Sequence, residues 1–209
     1  MIIQCDFDGT IIRNNLSVLL REKYARGDWQ RTESEYLHGH LTVEQSNQLQ
    51  YSLIKEPKEK LQEFVRQHIE VKPGFVEFVR YCQGSAIPFV IVSSGLDFYI
   101  EPVLVEIGMP GLELYCGRTS FSHDGIDVSY YDPEGNIINR GFKEKYLAWL
   151  KKRGKNIIYL GDGLSDLEAA CQADHVFATG PLLDLLDTHS IARSAFSDFY
   201  DVLHQVCLL

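Results

Sequence analysis

Short apolar runs recur along the chain and alternate with longer segments in which apolar residues are spaced every three or four positions. The apolar runs lie at residues 1–5, 87–92, 156–160 and 175–178. Runs of this length predict buried β-strands, and the spacing between them predicts helices. Strands that alternate with helices are typical of an α/β protein whose sheet is mainly parallel.

Two stretches depart from this alternation. Residues 14–71 are rich in charged and amide side chains, place Leu16, Leu19 and Leu20 at helical spacing, and contain no convincing strand. We therefore predict a helical cap at residues 14–71 and a core formed by residues 1–13 and 72–209. Because the cap follows the first strand, we expect it above the carboxyl ends of the strands. Between residues 112 and 139, glycine-containing turns at residues 124–125 and 134–136 predict an antiparallel excursion from the sheet.

Composition narrows the class of partner. The 209 residues, 45% of them hydrophobic, suit one ordinary domain with a modest insertion. A net charge of -9 argues against nucleic acid or an anionic membrane as the main partner. No apolar run approaches the roughly 18 residues that span a bilayer, and the N-terminus lacks a signal segment. We predict a cytoplasmic protein, monomer or homodimer, with dispersed free cysteines rather than a zinc site or a disulfide framework.

Polar residues follow three of the predicted strands. They are Asp6 and Asp8 after the first strand, Ser93, Ser94 and Gly95 after the second, and Asp162 and Asp166 after the strand at residues 156–160. Lys143 lies near the start of a predicted helix between the last two strands. Because the carboxyl ends of parallel strands share one edge of a sheet, we expect these groups to converge there.

The converging groups suit a metal ion and a phosphate. Three hard oxygen donors fit magnesium: Asp6, the main-chain carbonyl of Asp8, and Asp162. Four groups can donate hydrogen bonds to phosphoryl oxygens: Ser93, the N–H groups of Ser94 and Gly95, and Lys143. One carboxylate is then free to attack phosphorus, and aspartate is an established phosphoryl acceptor. Lys145 follows two residues after Lys143 and could take its place.

These residues carry a family resemblance. The segment DFDGT at residues 6–10, Ser93, Lys143 and GDGLSD at residues 161–166 resemble the four motifs of the haloacid dehalogenase superfamily of phosphohydrolases. The helical insertion resembles the cap of the branch that includes phosphoserine phosphatase. Within that branch, SSGLDFYIEPVL and residues 142–166 are most similar to the methionine-salvage enol-phosphate phosphatases. The resemblance implies a Rossmann-like three-layer core and a magnesium cofactor.

The resemblance also implies a role for each motif residue. Asp6 is implied to be the nucleophile that forms an aspartyl-phosphate, and Asp8 the general acid and then the base. Supporting roles fall to Gly9, which permits a tight turn beside the phosphate, to Thr10, and to Asp166, which orients Lys143 or the metal's water shell. Ser93 and Lys143 are implied to hold the transferring group, and Asp162 to bind magnesium.

The substrate follows less directly from the sequence than the reaction does. Phosphoserine would need an acidic residue where Asn15 stands and an arginine, for which residues 42–51 offer none. We therefore predict hydrolysis of a small phosphorylated metabolite, with the methionine-salvage enol-phosphate as the candidate and Asn15, Asp97 and Phe98 as substrate contacts. Phosphoserine hydrolysis, phosphoryl transfer to another alcohol, and a catalytically idle binding protein remain alternatives.

Overall fold

One mixed sheet runs through the centre of the molecule. The computed structural model describes residues 1–153 and 156–208, and in this part of the chain eight strands lie in the order β5-β4-β3-β2-β1-β6-β7-β8. The strands are β1 (Ile2–Cys5), β2 (Phe89–Leu96), β3 (Glu113–Ser122), β4 (Gly125–Tyr131), β5 (Ile137–Ile138), β6 (Ile157–Gly161), β7 (His175–Ala178) and β8 (Ser194–Ala195).

Helices connect most of these strands. They are α1 (Leu16–Tyr24), α2 (Trp29–Leu37), α3 (Val43–Tyr51), α4 (Lys58–His68), α5 (Phe75–Gly84), α6 (Asp97–Glu106), α7 (Phe142–Lys151), α8 (Leu167–Ala170), α9 (Leu182–Thr188) and α10 (Phe199–Val206), with a 3₁₀ turn at Leu164–Asp166. Within the described residues, none of the helices has both the length and the apolar composition that crossing a bilayer requires.

Strand β1 is the central strand. The chain continues to β2 and β3 on one side of it and later to β6 and β7 on the other. It pairs in parallel with β2 on one side and with β6 on the other. All three strands are buried along their whole length, as their continuous apolar runs predict for strands covered on both faces. Ligands of open α/β sheets bind outside the carboxyl ends of the strands at such a divergence.

Helices cover both faces of the sheet. Ile3 pairs with Phe89, so their side chains face the same side, where the ring of Phe89 packs edge-on against Phe75 of α5. The next residue, Gln4, faces the opposite side, because side chains alternate along a strand. Its amide donates a hydrogen bond to the main-chain oxygen of Lys143 in α7, at 3.0 Å. The prediction of a three-layer α/β core with a mainly parallel sheet is confirmed.

The antiparallel excursion begins within a single strand. The first half of β3 pairs in parallel with β2, and its second half pairs antiparallel with β4. Strands β4 and β5 form a second antiparallel pair. The predicted turns at residues 124–125 and 134–136 therefore lie where the hairpins turn, and this prediction is confirmed.

Helices α1 to α4 fill residues 14–71, which we call the helical insertion. Its two connections to the sheet run side by side: the Arg13 N–H donates to the Glu70 oxygen at 2.8 Å, and the Lys72 N–H donates to the Ile11 oxygen at 2.9 Å. Helix α4 packs against α6, and α3 packs against β4. The division of the chain into a core and a cap at these boundaries stays a prediction.

The second strand differs from its predicted limits. It begins at Phe89 rather than residue 87, because Pro88 has no N–H with which to join the ladder. It also continues past Val92 to Leu96, although its pairing with β3 is interrupted between these two residues. Ser93, Ser94 and Gly95 occupy the interruption. Because these residues are not apolar, the hydropathy pattern placed the end of the strand too early. The sequence analysis also missed β8, α9 and α10.

Gly125 fits closely between the hairpin and the helical insertion. Its φ of +144° disfavours a side chain, and a Cβ there would collide with the main-chain oxygen of Ser52. We expect Gly125→Ala to lower the free energy of unfolding by about 1–3 kcal/mol, measured by urea denaturation. Gly135→Ala is the control, because Gly135 has a φ of +86° with nothing within 4 Å of the added Cβ. Equal losses in both variants would contradict a role for the Ser52 contact.

Candidate active site

A buried lysine lies between two carboxylates at the carboxyl end of the sheet. The Nζ atom of Lys143 is 2.9 Å from Oδ1 of Asp6 and 2.6 Å from Oδ1 of Asp166. Its side chain is only 2% exposed, whereas Lys145 faces solvent. Burial alone lowers the pKa of Lys143, but the charges of Asp166 and Asp6 outweigh burial and raise it. The structure therefore brings Lys143, and not Lys145, to the carboxylates.

Asp166 holds this lysine and the loop that follows β6. Its Oδ1 accepts hydrogen bonds from Lys143 and from the Tyr159 hydroxyl, at 2.6 and 2.7 Å. Its Oδ2 accepts the main-chain N–H groups of Asp162 and Gly163, both at 3.0 Å. Because each carboxylate oxygen accepts two hydrogen bonds, Asp166 orients Lys143 and fixes the position of Asp162.

Asp162 lies directly against the loop that follows β1. The Thr10 hydroxyl donates to its Oδ1 at 3.2 Å. Gly9 has a φ of +75°, and a Cβ at this position would overlap the Asp162 carboxylate. Burial, followed by the charges of Asp166 and Asp6, raises the pKa of Asp162 to about 8. A glycine at position 9 is therefore required for the two loops to approach this closely.

The acidic residues fit a divalent cation. Carboxylate oxygens of Asp6, Asp162 and Asp166 lie within 4.8 Å of one another. Burial raises the pKa of Asp6 even though Lys143 opposes the shift, and burial raises the pKa of Asp162 as well, so the protein's own groups do not fully stabilise these two carboxylates as anions. Asp166 already accepts four hydrogen bonds. Asp6 and Asp162 are thus the side chains that fit a magnesium ion, which prefers carboxylate oxygens.

Asp8 is held from two directions. The Tyr99 hydroxyl donates to its Oδ2 at 2.6 Å, and the main-chain N–H of Leu16, the first residue of α1, donates to its Oδ1 at 2.9 Å. Burial raises the pKa of Asp8 to about 7, although the Tyr99 hydrogen bond opposes the shift. A carboxyl group that titrates near neutral pH can both donate and accept a proton there.

The end of β2 forms another wall of the site. The Gly95 N–H donates to the Ser93 Oγ at 3.0 Å. The amide of Asn47, in α3, donates to the main-chain oxygen of Ser94 at 2.9 Å and to the Tyr130 hydroxyl at 2.7 Å. The helical insertion, the hairpin and β2 therefore meet at one residue of the predicted phosphate-binding segment.

These groups surround a cavity of about 280 Å³, which we call the catalytic cavity. The predicted site residues that line it are Asp6, Asp8, Asn15, Ser93, Ser94, Gly95, Lys143 and Asp162. A larger opening of about 930 Å³, lined by the helical insertion, β5 and α7, shares Ser94 and Lys143 with it. The two spaces therefore adjoin each other at these residues.

Comparison with known proteins gives the family. The family model described as haloacid dehalogenase-like hydrolase matches residues 3–170. The chain belongs to this family. It is 30% identical to the 2-hydroxy-3-keto-5-methylthiopentenyl-1-phosphate phosphatase of Bacillus mycoides (strain KBAB4), over 97% of this chain and 94% of that protein. The protein of the same name from Bacillus pumilus (strain SAFR-032) is 28% identical, over 98% of this chain and 90% of that protein.

A solved structure shows the same fold. A substrate-bound phosphoserine phosphatase complex matches with a TM-score of 0.71 and 20% sequence identity, over 98% of this chain and 97% of that one. At this identity the likeness concerns the fold alone. The predictions of the haloacid dehalogenase superfamily, of its Rossmann-like fold and of a phosphatase are confirmed.

In this haloacid dehalogenase-like hydrolase, two of the predicted substrate contacts lie elsewhere. Asp97 and Phe98 are not among the described residues that line the catalytic cavity. Asp97 accepts a hydrogen bond from the Thr119 hydroxyl, and Phe98 is 1% exposed and packs against Tyr99. The first turn of α6 directs these side chains toward β3 and the apolar core. Asn15 does line the cavity, and its side chain also accepts the Val18 N–H at the start of α1.

The helical insertion contributes residues that the sequence analysis missed. Arg21 of α1, Glu33 of α2, and Ser46 and Asn47 of α3 all line the catalytic cavity. One signal was present for Arg21: it falls on the buried stripe of α1 with Leu16 and Leu20, where a charged residue is out of place. Residues 42–51, where an arginine was expected for phosphoserine, contain none. The arginine that lines the cavity belongs to α1.

Lys143 makes the site sensitive to substitution. Among the described residues, Lys143 is the only cation within 4 Å of the Asp6 and Asp166 carboxylates, and replacing it removes that charge. We expect Lys143→Met to lower the free energy of unfolding by about 3 kcal/mol or more in urea denaturation with EDTA, because two buried carboxylates lose their counter-charge. Lys145→Met removes an exposed ammonium from the same helix, and we expect a change below about 0.5 kcal/mol. Similar losses in both variants would contradict this electrostatic account.

Proposed function

We propose that this haloacid dehalogenase-like hydrolase is a magnesium-dependent phosphatase that hydrolyses the phosphomonoester of a small metabolite through an aspartyl-phosphate on Asp6. The observation that carries the proposal is the placement of two unlike carboxylates in one cavity. Asp6 is paired with Lys143, whereas Asp8 is held by neutral donors and titrates near pH 7. Environments that separate two carboxylates in this way suit one as the nucleophile and the other as the acid.

In the first step, an oxygen of Asp6 attacks phosphorus as the bond between phosphorus and the leaving oxygen breaks. Lys143 binds Oδ1 of Asp6 at 2.9 Å, which fixes the nucleophile and places a positive charge beside the transferring group. Ser93 and Ser94 line the same cavity and can donate hydrogen bonds to the phosphoryl oxygens, whereas the predicted donor of Gly95, its N–H, already donates to the Ser93 Oγ. Magnesium bound by Asp6 and Asp162, with the predicted Asp8 carbonyl, would neutralise charge on those oxygens.

Asp8 handles the protons in both steps. It donates its proton to the leaving oxygen in the first step, and it then takes a proton from the water that attacks the aspartyl-phosphate. Its pKa of about 7 leaves both forms populated at neutral pH. The Tyr99 hydroxyl and the Leu16 N–H hold the two carboxylate oxygens, so the direction of the proton transfer is set by α6 and by the start of the helical insertion.

For the substrate we propose 2-hydroxy-3-keto-5-methylthiopentenyl-1-phosphate. The support comes from relatives named for hydrolysis of this compound, which match this chain at 28–30% identity over nearly their whole length. Phosphoserine is less well supported, because the uncharged Asn15 stands where its ammonium would need a carboxylate, and the Glu33 carboxylate in the same cavity already has Arg21 and Gln50 as partners. The enol-phosphate is also an uncharged skeleton apart from its phosphate.

The reaction is tested by phosphate release from the enol-phosphate, phosphoserine and an aryl phosphate. We expect selective turnover of the enol-phosphate that disappears when EDTA removes magnesium. Asp6→Asn should lower turnover by more than about 10³-fold, because the amide cannot act as the nucleophile. Acid quenching of the wild type during turnover should trap one phosphoryl group per chain.

Other results would favour the alternatives. Retained turnover in Asp6→Asn would contradict the covalent mechanism. Phosphorylated alcohol formed at the expense of free phosphate, when glycerol is added, would indicate a phosphotransferase. A folded, magnesium-loaded protein that hydrolyses no compound would indicate a binding protein.

Tyr99→Phe removes the hydroxyl that holds Asp8 without changing the ring. We expect kcat/KM for an alkyl phosphate to fall about 10- to 100-fold, because its leaving oxygen needs the proton of Asp8. For 4-nitrophenyl phosphate we expect kcat/KM to fall by less than about 3-fold, because nitrophenolate leaves without a proton. Tyr146→Phe is the control, since this buried tyrosine hydroxyl donates to the main-chain oxygen of Tyr131 and does not contact Asp8 or Tyr99. Equal losses for both substrates would show that Tyr99 has only a structural role.

A further inference from the structure

Arg21 is a buried cation in the wall of the catalytic cavity. It lies in the last turn of α1, is 5% exposed, and lines the same cavity as Asp6 and Asp8. Arg21 has no role in the proposed mechanism. A guanidinium carries five N–H donors in a rigid fork and stays charged when it is buried.

The partners of Arg21 leave much of this capacity unused. Its Nη1 donates to the Ser17 Oγ at 3.0 Å and to the Asn47 Oδ1 at 3.3 Å, and both acceptors are neutral. The nearest carboxylate oxygen, in Glu33, is 3.5 Å from Nη2 and also accepts a hydrogen bond from Gln50 at 2.8 Å. Among the described residues, the buried Nε atom of Arg21 has no hydrogen-bond partner. Buried charges ordinarily have close partners.

Two further polar groups in the same wall share this property. The hydroxyl oxygens of Ser46 and Ser94 are buried and have no hydrogen-bond partner within the part of the chain that the structure describes. Both residues line the catalytic cavity with Arg21. Arg21 belongs to α1, Ser46 to α3 and Ser94 to β2, so three separate elements present unsatisfied polar groups around one cavity. An oxygen-bearing ligand would satisfy them, since buried polar groups are normally hydrogen-bonded.

The charge of the cavity limits what that ligand can be. The acidic side chains among the described lining residues are Asp6, Asp8, Glu33 and Asp162, and the basic ones are Arg21 and Lys143. The phosphate of a substrate adds further negative charge, which a magnesium ion only partly offsets. A carboxylate on the leaving group would increase the repulsion, whereas a hydroxyl or carbonyl oxygen would not.

We propose that Arg21 determines substrate specificity by binding two neighbouring uncharged oxygens, a hydroxyl and a carbonyl, on the carbon skeleton of the leaving group. The fork of the guanidinium matches a pair of adjacent oxygens, and the Ser46 hydroxyl adds a third polar contact. This inference rests on the proposed phosphatase function and names the class of its substrate: a phosphomonoester of an α-hydroxycarbonyl compound.

The test compares two three-carbon phosphomonoesters. Dihydroxyacetone phosphate carries an adjacent hydroxyl and carbonyl, and propyl phosphate carries neither. We expect the wild type to prefer the first, and Arg21→Met to lower kcat/KM for it about 10- to 100-fold, chiefly through KM, which is the usual cost of a lost hydrogen bond to a charged group. For propyl phosphate we expect a change below about 3-fold. Arg21→Lys keeps the charge without the fork and should recover only part of the preference.

Arg26→Met is the matched control. Arg26 follows α1 on the outer surface, is 69% exposed, and pairs with Glu56. We expect this variant to keep the wild-type preference between the two esters. Equal losses for both esters in Arg21→Met and Arg21→Lys would overturn the proposal, and so would a larger loss for phosphoglycolate, whose leaving group carries a carboxylate.

Binding separates this inference from the proposed reaction. Calorimetric titration of Asp6→Asn with the two esters should show the same preference, and Arg21→Met in that background should remove it. If the wild type hydrolyses neither ester nor the enol-phosphate, but the binding preference depends on Arg21, the proposed reaction fails and the inference stands. If the wild type hydrolyses both esters and Arg21→Met leaves their ratio unchanged, the inference fails and the reaction stands.

Discussion

The shared ammonium of Lys143 is the interaction on which the site depends. Two carboxylates, Asp6 and Asp166, are buried at the carboxyl end of the sheet, and Lys143 lies within 3 Å of both. Without a cation between them, two buried like charges would repel each other with no compensating partner. The start of α7 is therefore held closely: the Gln4 amide binds the Lys143 carbonyl, and Glu44 accepts the N–H of Phe142 at 2.8 Å.

The Glu44 contact also shows that the helical insertion helps to build the site. Glu44 belongs to α3 and satisfies an N–H at the start of α7, where the helix dipole favours a negative charge. The insertion reaches the core at two other site residues, through the Leu16 N–H on Asp8 and the Asn47 amide on Ser94. A displacement of the insertion would break all three bonds at once. The position of the insertion and the alignment of these three site residues are therefore linked.

Local composition was sufficient to predict most of the parallel strands and the polar residues at the carboxyl ends of the central ones. Buried parallel strands have continuous apolar runs, so β1, β6 and β7 could be predicted from local composition. The parallel arrangement then placed Asp6 and Asp162 at a common edge, because carboxyl ends of parallel strands meet there. Glycine at position 9 could also be predicted, since the motif that contains it requires a tight turn.

The directions in which the helical side chains face depend on packing between elements and could not be predicted from local sequence. Lys143 and Lys145 are equivalent by spacing, and the packing of α7 on the sheet buries one and exposes the other. In α6, Tyr99 reaches Asp8 while Asp97 and Phe98 turn toward β3 and the core. Arg21 comes to the cavity from a helix whose axis depends on contacts with α4. Helix orientation arises from contacts between residues far apart in sequence, so local periodicity identifies the helices but not the cavity that their side chains enclose.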